Sequence, residues 1–330
     1  MMIIACLLQS ASGAAAEHAA AKLISVKKIW DRAPHCAFTD LTYWKGRFVC
    51  AFRQGRAHVS SDGKIRVLTS SDGENWSSAA LVALDGYDLR DAGLSIAPDN
   101  RLMLNGGAAP RKNDKDRAPT GTFAAFSGDG STWTKPQIVT KPGRWLWRVR
   151  WHKGKAYGIS YSSARPAAGS PLTSLLVSDD GLHFQDLVPK LLDKGTPTEA
   201  ALRFTEDGKL YCLQRRDARP ANTAYLGVSR PPYTKWQWND LGTHVGGPNF
   251  IRLPDGRWLA AGRFFRGNKP TTALAALDID KTTIKPILTL PSGGDTSYPG
   301  LVWHDGLLWV SYYSSHEGKA SIYLAKIEVY

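Results

Sequence analysis

The sequence predicts an all-β chain, a six-bladed β-propeller with four antiparallel strands in each blade. Three observations predict it. A hairpin turn signal recurs six times along the chain. Each turn lies between apolar runs of β-type residues. A seven-residue turn motif also appears in the same phase of three consecutive units.

The turns are Lys45-Gly46, Asp99-Asn100, Lys153-Gly154, Asp207-Gly208, Asp255-Gly256 and Asp305-Gly306. Runs such as RFVCAF, KLYCLQ and RWLAAG follow them. Two β-rich runs around Asp-Gly or a similar pair make a hairpin. The second residues of the turns are 54, 54, 54, 48 and 50 positions apart. A repeat of about 50 residues with four short strands is a propeller blade. The last unit, Tyr298 to Tyr330, has room for only about three strands. Leu23 to Trp30 (LISVKKIW) is a spare strand ahead of the first hairpin, and it is expected to complete the last blade.

Composition narrows the rest. Hydrophobic residues make up 43% of 330, enough for a packed core and too many for a disordered chain. The net charge of +13 points to an anionic partner. Lys and Arg are scattered and no nucleic-acid motif is present, so an acidic glycan is expected rather than nucleic acid. Met1 to Leu8 is a short apolar run, followed by small residues ending in Ala14-Ala15-Ala16. Residues 1–20 therefore read as a targeting segment of a secreted or periplasmic protein, with residues 21–330 as one propeller domain. No run reaches 18 apolar residues, so no membrane span is expected. Cys36, Cys50 and Cys212 lack metal-site spacing and read as packing cysteines. No cofactor or metal is called for.

The repeated motif is S-x-D-G-x-x-W at Ser70 to Trp76 and Ser127 to Trp133, with Phe as the last residue at Ser178 to Phe184. The Asp can bond N–H groups of its own turn, Gly supplies positive φ, and the aromatic can plug the blade. Burial at Trp76 and Trp133 would make each worth about 3–5 kcal/mol. The motif resembles the Asp-box, or bacterial neuraminidase repeat, of the sialidase superfamily, one residue shorter than its commonest form.

Seven residues past each turn stand Arg53, Gly107, Tyr161, Arg215, Arg263 and Tyr313. Equivalent propeller positions converge on the axis, so Arg53, Arg215 and Arg263 are expected around one anion-binding pocket. The strand before each turn opens with a polar residue: Asp40, Asp91, Arg148, Glu199, Asn249 and Tyr298. Thr198-Glu199 through Asp207-Gly208 to Arg215 resembles the Glu-strand-turn-strand-Arg unit of sialidases. Arg263 resembles the third arginine of their triad, and Ser297-Tyr298-Pro299 the segment of their nucleophile. The resemblance implies a Tyr298 nucleophile assisted by Glu199, with arginines gripping a substrate carboxylate. Arg32-Ala33-Pro34 keeps only the outer residues of the family's Arg-Ile-Pro motif, so Arg32, Arg53 and Arg56 all stand as candidates for the first arginine. Asp40, His58 and Asp62 are the candidates for the acid, and Arg148 and Tyr313 are further substrate contacts. The resulting expectation is an exo-glycosidase on a terminal acidic sugar such as sialic acid. Two alternatives stand beside it: a uronate lyase using Tyr with His35, His58 or His152, and a non-catalytic glycan-binding propeller.

Overall fold

The computed structural model describes residues 19–111, 120–162, 173–218 and 222–330. The targeting segment read at the N-terminus falls outside them, apart from its last two residues. No helix among the described residues is long and apolar enough to cross a membrane.

Strand β1 (Ala21–Trp30) comes first. Blade 1 follows as β2 (His35–Trp44), β3 (Arg47–Gly55), β4 (Lys64–Ser70) and β5 (Ser77–Val82). Blade 2 is β6 (Tyr87–Ile96), β7 (Leu102–Pro110), β8 (Gly121–Ser127) and β9 (Gln137–Ile138). Blade 3 is β10 (Arg144–His152), β11 (Lys155–Ser162), β12 (Thr173–Ser178) and β13 (Gln185–Leu192). Blade 4 is β14 (Pro197–Phe204), β15 (Leu210–Arg216), β16 (Tyr225–Ser229) and β17 (Trp236–Asp240). Blade 5 is β18 (Gly246–Arg252), β19 (Trp258–Arg266), β20 (Lys269–Asp278) and β21 (Thr283–Thr289). Blade 6 is β22 (Thr296–His304), β23 (Leu307–Ser314) and β24 (Ser321–Val329), completed by β1 pairing antiparallel with β24. The fold class and the role of the spare strand are as the sequence predicts.

The inner strands β2, β6, β10, β14, β18 and β22 contact one another all the way round, with β22 returning to β2. Six apolar clusters lie largely between neighbouring blades, for example Val49 and Val67 of blade 1 with Leu94 and Leu104 of blade 2. This burial drives the ring to close. Cys36, Cys50 and Cys212 are free and buried in these layers.

The three S-x-D-G turns link the third and fourth strands of blades 1, 2 and 3 and share one pattern. Asp72 Oδ1 accepts from the N–H groups of Glu74 and Asn75, each at 2.8 Å. Asp129 and Asp180 repeat this with the two residues beyond their glycines. These bonds hold all three carboxyls below the usual carboxylate range. The aromatics that close the turns correct one expectation: Trp76, Trp133 and Phe184 are half-buried, not buried.

A second repeated device positions the site. In every blade the innermost pair carries a β-bulge, at Ala37/Asp40, Arg90/Gly93, Trp147/Arg150, Pro197/Ala200, Gly246/Asn249 and Ser297/Gly300. Two residues there oppose one, which bends the strand and re-aims its side chains. In five blades the first bulged residue has positive φ: Phe38 at 62°, Asp91 at 51°, Arg148 at 29°, Gly247 at 57° and Tyr298 at 54°.

Candidate active site

Bulge register sorts the polar residues that the sequence placed at one level. Asp91, Arg148 and Tyr298 are first bulged residues, Glu199 is second, and Asp40 and Asn249 lie one step deeper. Phe38, Asp91, Trp147, Arg148 and Tyr298 line a narrow pocket with almost no free volume.

The Tyr298 hydroxyl donates a short hydrogen bond to Glu199 Oε1. Glu199 Oε2 accepts from Arg215 Nη1 at 2.8 Å and from the Gly247 N–H at 2.9 Å. Burial alone would push the Glu199 carboxyl up. The Arg215 charge and the donated hydrogen bonds outweigh burial and hold it below its usual range. Burial and the Glu199 charge push the Tyr298 phenol well above its usual value. The proton therefore rests on Tyr298, facing an ionised base. Gly247 is required here, because at its positive φ a Cβ would come within 2.7 Å of the Tyr298 ring.

Arg215 also donates from Nε to Asp217 Oδ1 at 2.9 Å. Arg263 donates from Nε to the Thr296 carbonyl at 2.8 Å and from Nη2 to the Tyr313 hydroxyl at 3.1 Å. Its guanidinium lies 5.9 Å from the centre of the Tyr298 ring. Among the described residues, Arg215 Nη2 and Arg263 Nη1 have no hydrogen-bond partner.

Asp295, just ahead of β22, organises the other wall. Its Oδ1 accepts from the Tyr313 hydroxyl at 2.7 Å, and its Oδ2 faces His58 Nδ1 at 2.6 Å and His35 Nε2 at 3.0 Å. Burial would raise this carboxyl, but its bonds to His35, His58 and Tyr313 hold it far below the usual range. An ionised carboxylate only accepts, so both imidazoles present N–H at those nitrogens. His58 Nε2 is then directed away from Asp295. The Phe38 ring lies between, 4.9 Å from Tyr298, 5.1 Å from His58 and 5.5 Å from Tyr313.

Asp91, on β6, carries the opposite perturbation to Glu199. Burial and the nearby Glu199 charge push its carboxyl up to about 7. The two carboxyls are thus driven apart, an arrangement acid–base chemistry can use.

His35, His58 and Asp295 bring metal-ligating atoms within 4.8 Å of one another. Arg263 Nη2, only 3.8 Å from Asp295 Oδ1, opposes a dication there. Hydrogen bonds to Asp295 already occupy His35 Nε2 and His58 Nδ1.

The structure thus brings together Tyr298, Glu199, Arg215, Arg263, Tyr313 and His58. The other candidates lie outside this group, although Arg148 also lines the pocket beside Tyr298. Arg53 is fully buried, bonded to Asp88 at 2.9 Å, to Ser60 Oγ at 2.8 Å and to the Ala57 carbonyl at 2.8 Å. Its place in the ladder explains this. Arg53 pairs with Ala37, the residue before the bulge, as Arg216 pairs with Pro197 in blade 4. Arg215 is one residue off that position. Arg216 is buried against Asp240 in the same manner. Arg263 shares their register, but its nearest acid is Asp295 at 3.8 Å, and it stays at the pocket. Arg56 is exposed and faces Asp62 at 3.5 Å, so both belong to a surface loop. Arg32 is exposed and stacks on Trp30 at 4.9 Å. Asp40 and Arg148 form a buried ion pair at 2.6 Å next to the pocket. His152 stacks on Phe204, 4.1 Å away. The reading of the sequence missed Asp295, Phe38 and the titration of Asp91. Asp295 had one available signal, its place three residues before Tyr298.

No protein-family model matches the chain, and no curated protein is similar to it. Solved structures share its fold. A protein of unknown function from Dyadobacter fermentans superposes with a TM-score of 0.79 at 21% identity, over 94% of this chain and 100% of that one. The Trypanosoma rangeli sialidase in complex with sialic acid gives 0.69 at 14% identity, over 93% of this chain. The Hadza microbial sialidase Hz136 gives 0.66 at 15% identity, over 91%. The chain spans 58% of the first sialidase's length and 66% of the second's. The likeness establishes a sialidase-like propeller fold.

Proposed function

We propose that the chain is an exo-glycosidase acting on a terminal sugar that carries a carboxylate, sialic acid or a close analogue. The observation that carries this reading is the Tyr298–Glu199–Arg215 line, with Arg263 beside it. In sialic acid the carboxylate sits on the anomeric carbon. A carboxylate nucleophile would be repelled by it, whereas a neutral Tyr deprotonated by Glu199 is not. Arg215 Nη2 and Arg263 Nη1 are the free donors for the substrate carboxylate, and their charge favours an oxocarbenium-like transition state held next to it. Phe38 stands on the blade 1 wall as an apolar surface for the ring. His58, half exposed and oriented through Nδ1–H by Asp295, can as an imidazolium give its Nε2 proton to the departing oxygen and be left neutral. Asp91, protonated below about 7, can give a hydrogen bond to a sugar hydroxyl.

Purified protein incubated with sialosides and with uronate-bearing glycans, with product masses measured, tests this. Release of the free acidic sugar is expected, and Tyr298→Phe should lower turnover by about 100–1000-fold while the protein stays folded. An unsaturated uronate product would replace this reading with a lyase built on Tyr and His58. Binding of these glycans without any product would replace it with a lectin.

A further inference from the structure

Next to the Tyr298 pocket, three guanidinium groups gather around a single carboxylate. Arg148 Nη1 pairs with Asp40 Oδ1 at 2.6 Å, and its Nη2 donates to the Pro299 carbonyl at 3.0 Å. That carbonyl also accepts from Asn249 Nδ2 at 3.0 Å, and Asn249 Oδ1 accepts from Arg203 Nη2 at 2.8 Å. On the other side, Asp40 Oδ2 accepts from the Leu94 N–H at 2.9 Å, and the Leu94 carbonyl accepts from Arg150 Nη1 at 3.1 Å. Arg150 is therefore one hydrogen-bonded residue from the Asp40–Arg148 pair, through Leu94, and Arg203 is two, through Asn249 and Pro299.

Their charges are not balanced. Among the described residues, Arg150 and Arg203 bond only to carbonyl oxygens and to Asn249, and neither forms an ion pair. Among the described residues, Asp40 is the one acid paired with any of these three cations. Arg148 is 2% exposed, yet its Nε has no hydrogen-bond partner. Burial, then Arg150 and Arg148, push the Arg203 guanidinium well below its usual range. Burial, and then Arg148, also lower the Arg150 guanidinium. Guanidinium groups do not deprotonate in proteins, so the repulsion is met by a counter-charge. Arg150 and Arg203 are both half-buried.

We propose that a small inorganic anion binds among Arg148, Arg150 and Arg203, on the inner strands next to the pocket. The charge excess and the unpartnered Arg148 Nε carry this assignment, and it stands whether or not the adjacent pocket cleaves a glycan. The bound anion would act as a structural ligand, since three inner strands, β2, β10 and β14, supply the charges around it.

The test is thermal denaturation of the full chain, with inorganic phosphate or chloride titrated into a background of a bulky organic anion at constant ionic strength. A saturable rise in Tm of about 2–4 °C is expected. In Arg203→Gln and in Arg150→Gln the response should disappear, and Tm without phosphate or chloride should equal or exceed that of the unaltered protein, because a repelling charge is gone. Two variants are used so that one misfolding substitution does not decide the result. A Tm indifferent to which anion is present would overturn the proposal, as would variants that keep the response. Loss of stability in both variants without phosphate or chloride would also overturn it, since the guanidiniums would then not repel.

Discussion

Phe38, Asp91, Arg148 and Tyr298 hold non-glycine side chains at positive φ, a conformation that costs of order 1 kcal/mol or more at each. The bulge imposes that conformation, and it brings all four side chains to the pocket wall. Asp91 adds a second cost, because its carboxyl is pushed up to about 7 by burial and by Glu199. The sign of the pH dependence follows. In the unfolded chain Asp91 ionises near 4, while in the fold it holds its proton to about 7. Between those values the folded state binds the extra proton, so this residue's contribution to stability falls as pH rises from about 4 to about 7 and is flat above. Asp91→Asn should therefore match the unaltered protein near pH 4 and exceed it in Tm at pH 8. Equal melting curves at both pH values would show that Asp91 is not held neutral. Part of this was legible in the sequence. Tyr298 and Glu199 each stand beside a recognisable turn-and-strand unit. Asp295 stands in a loop, and its partners His35, His58 and Tyr313 come from three separate segments, so no spacing rule could assemble them.

At the scale of elements, the S-x-D-G turns tie each blade to the one before it. A Cβ on Gly73 would fall 2.3 Å from the ring of Trp309 in blade 6, and Gly181 abuts Phe126 and Met103 of blade 2. Glu74 of the first turn also meets Lys326 and, at 3.7 Å, Lys27, both on blade 6. The aromatics that end the turns are half-buried, so Trp76→Ala and Trp133→Ala should each cost about 1.5–3 kcal/mol, below the 3–5 of a fully buried ring. Denaturant titration measures this, and a loss above 4 kcal/mol would mean that the rings support more than their own turn. The turns were legible because their chemistry is local: a side-chain oxygen, two N–H groups and a glycine within a few residues. The register of the inner strands was not. Trp44 pairs with Arg47 across Lys45-Gly46, whereas Phe204 pairs with Leu210 across a longer loop. Counting from the turn therefore placed Arg53 level with Arg215, while the ladder places it level with Arg216.

For the whole molecule, the decisive contact is the one that joins the two ends of the ring. Blade 6 has three strands from the end of the chain and one from its start, paired from Ala21 opposite Val329 to Trp30 opposite Ile322. Leu23 and Val26 of β1 pack against the apolar cluster between blades 5 and 6, and Trp30 is buried between blades 6 and 1. This closure was legible because a six-unit ring with a short last unit leaves one strand to be supplied. Closure matters for the site as well, since Tyr298, Asp295 and Tyr313 lie on blade 6 while Phe38, His35 and His58 lie on blade 1. Without β1, β24 becomes an exposed edge strand with unpaired N–H and C=O groups and an uncovered apolar face. A chain beginning at Asp31 should therefore lose its single cooperative melting transition or aggregate. A chain beginning at Ala19 should melt as the full sequence does. Under the proposed function, glycan binding should fall with the first truncation even under conditions where the other blades stay folded, because the blade 1 and blade 6 walls of the pocket no longer meet. Calorimetry of the two truncated chains decides it: equal transitions would mean that the packing of blade 1 against β22 closes the ring without the strand exchange.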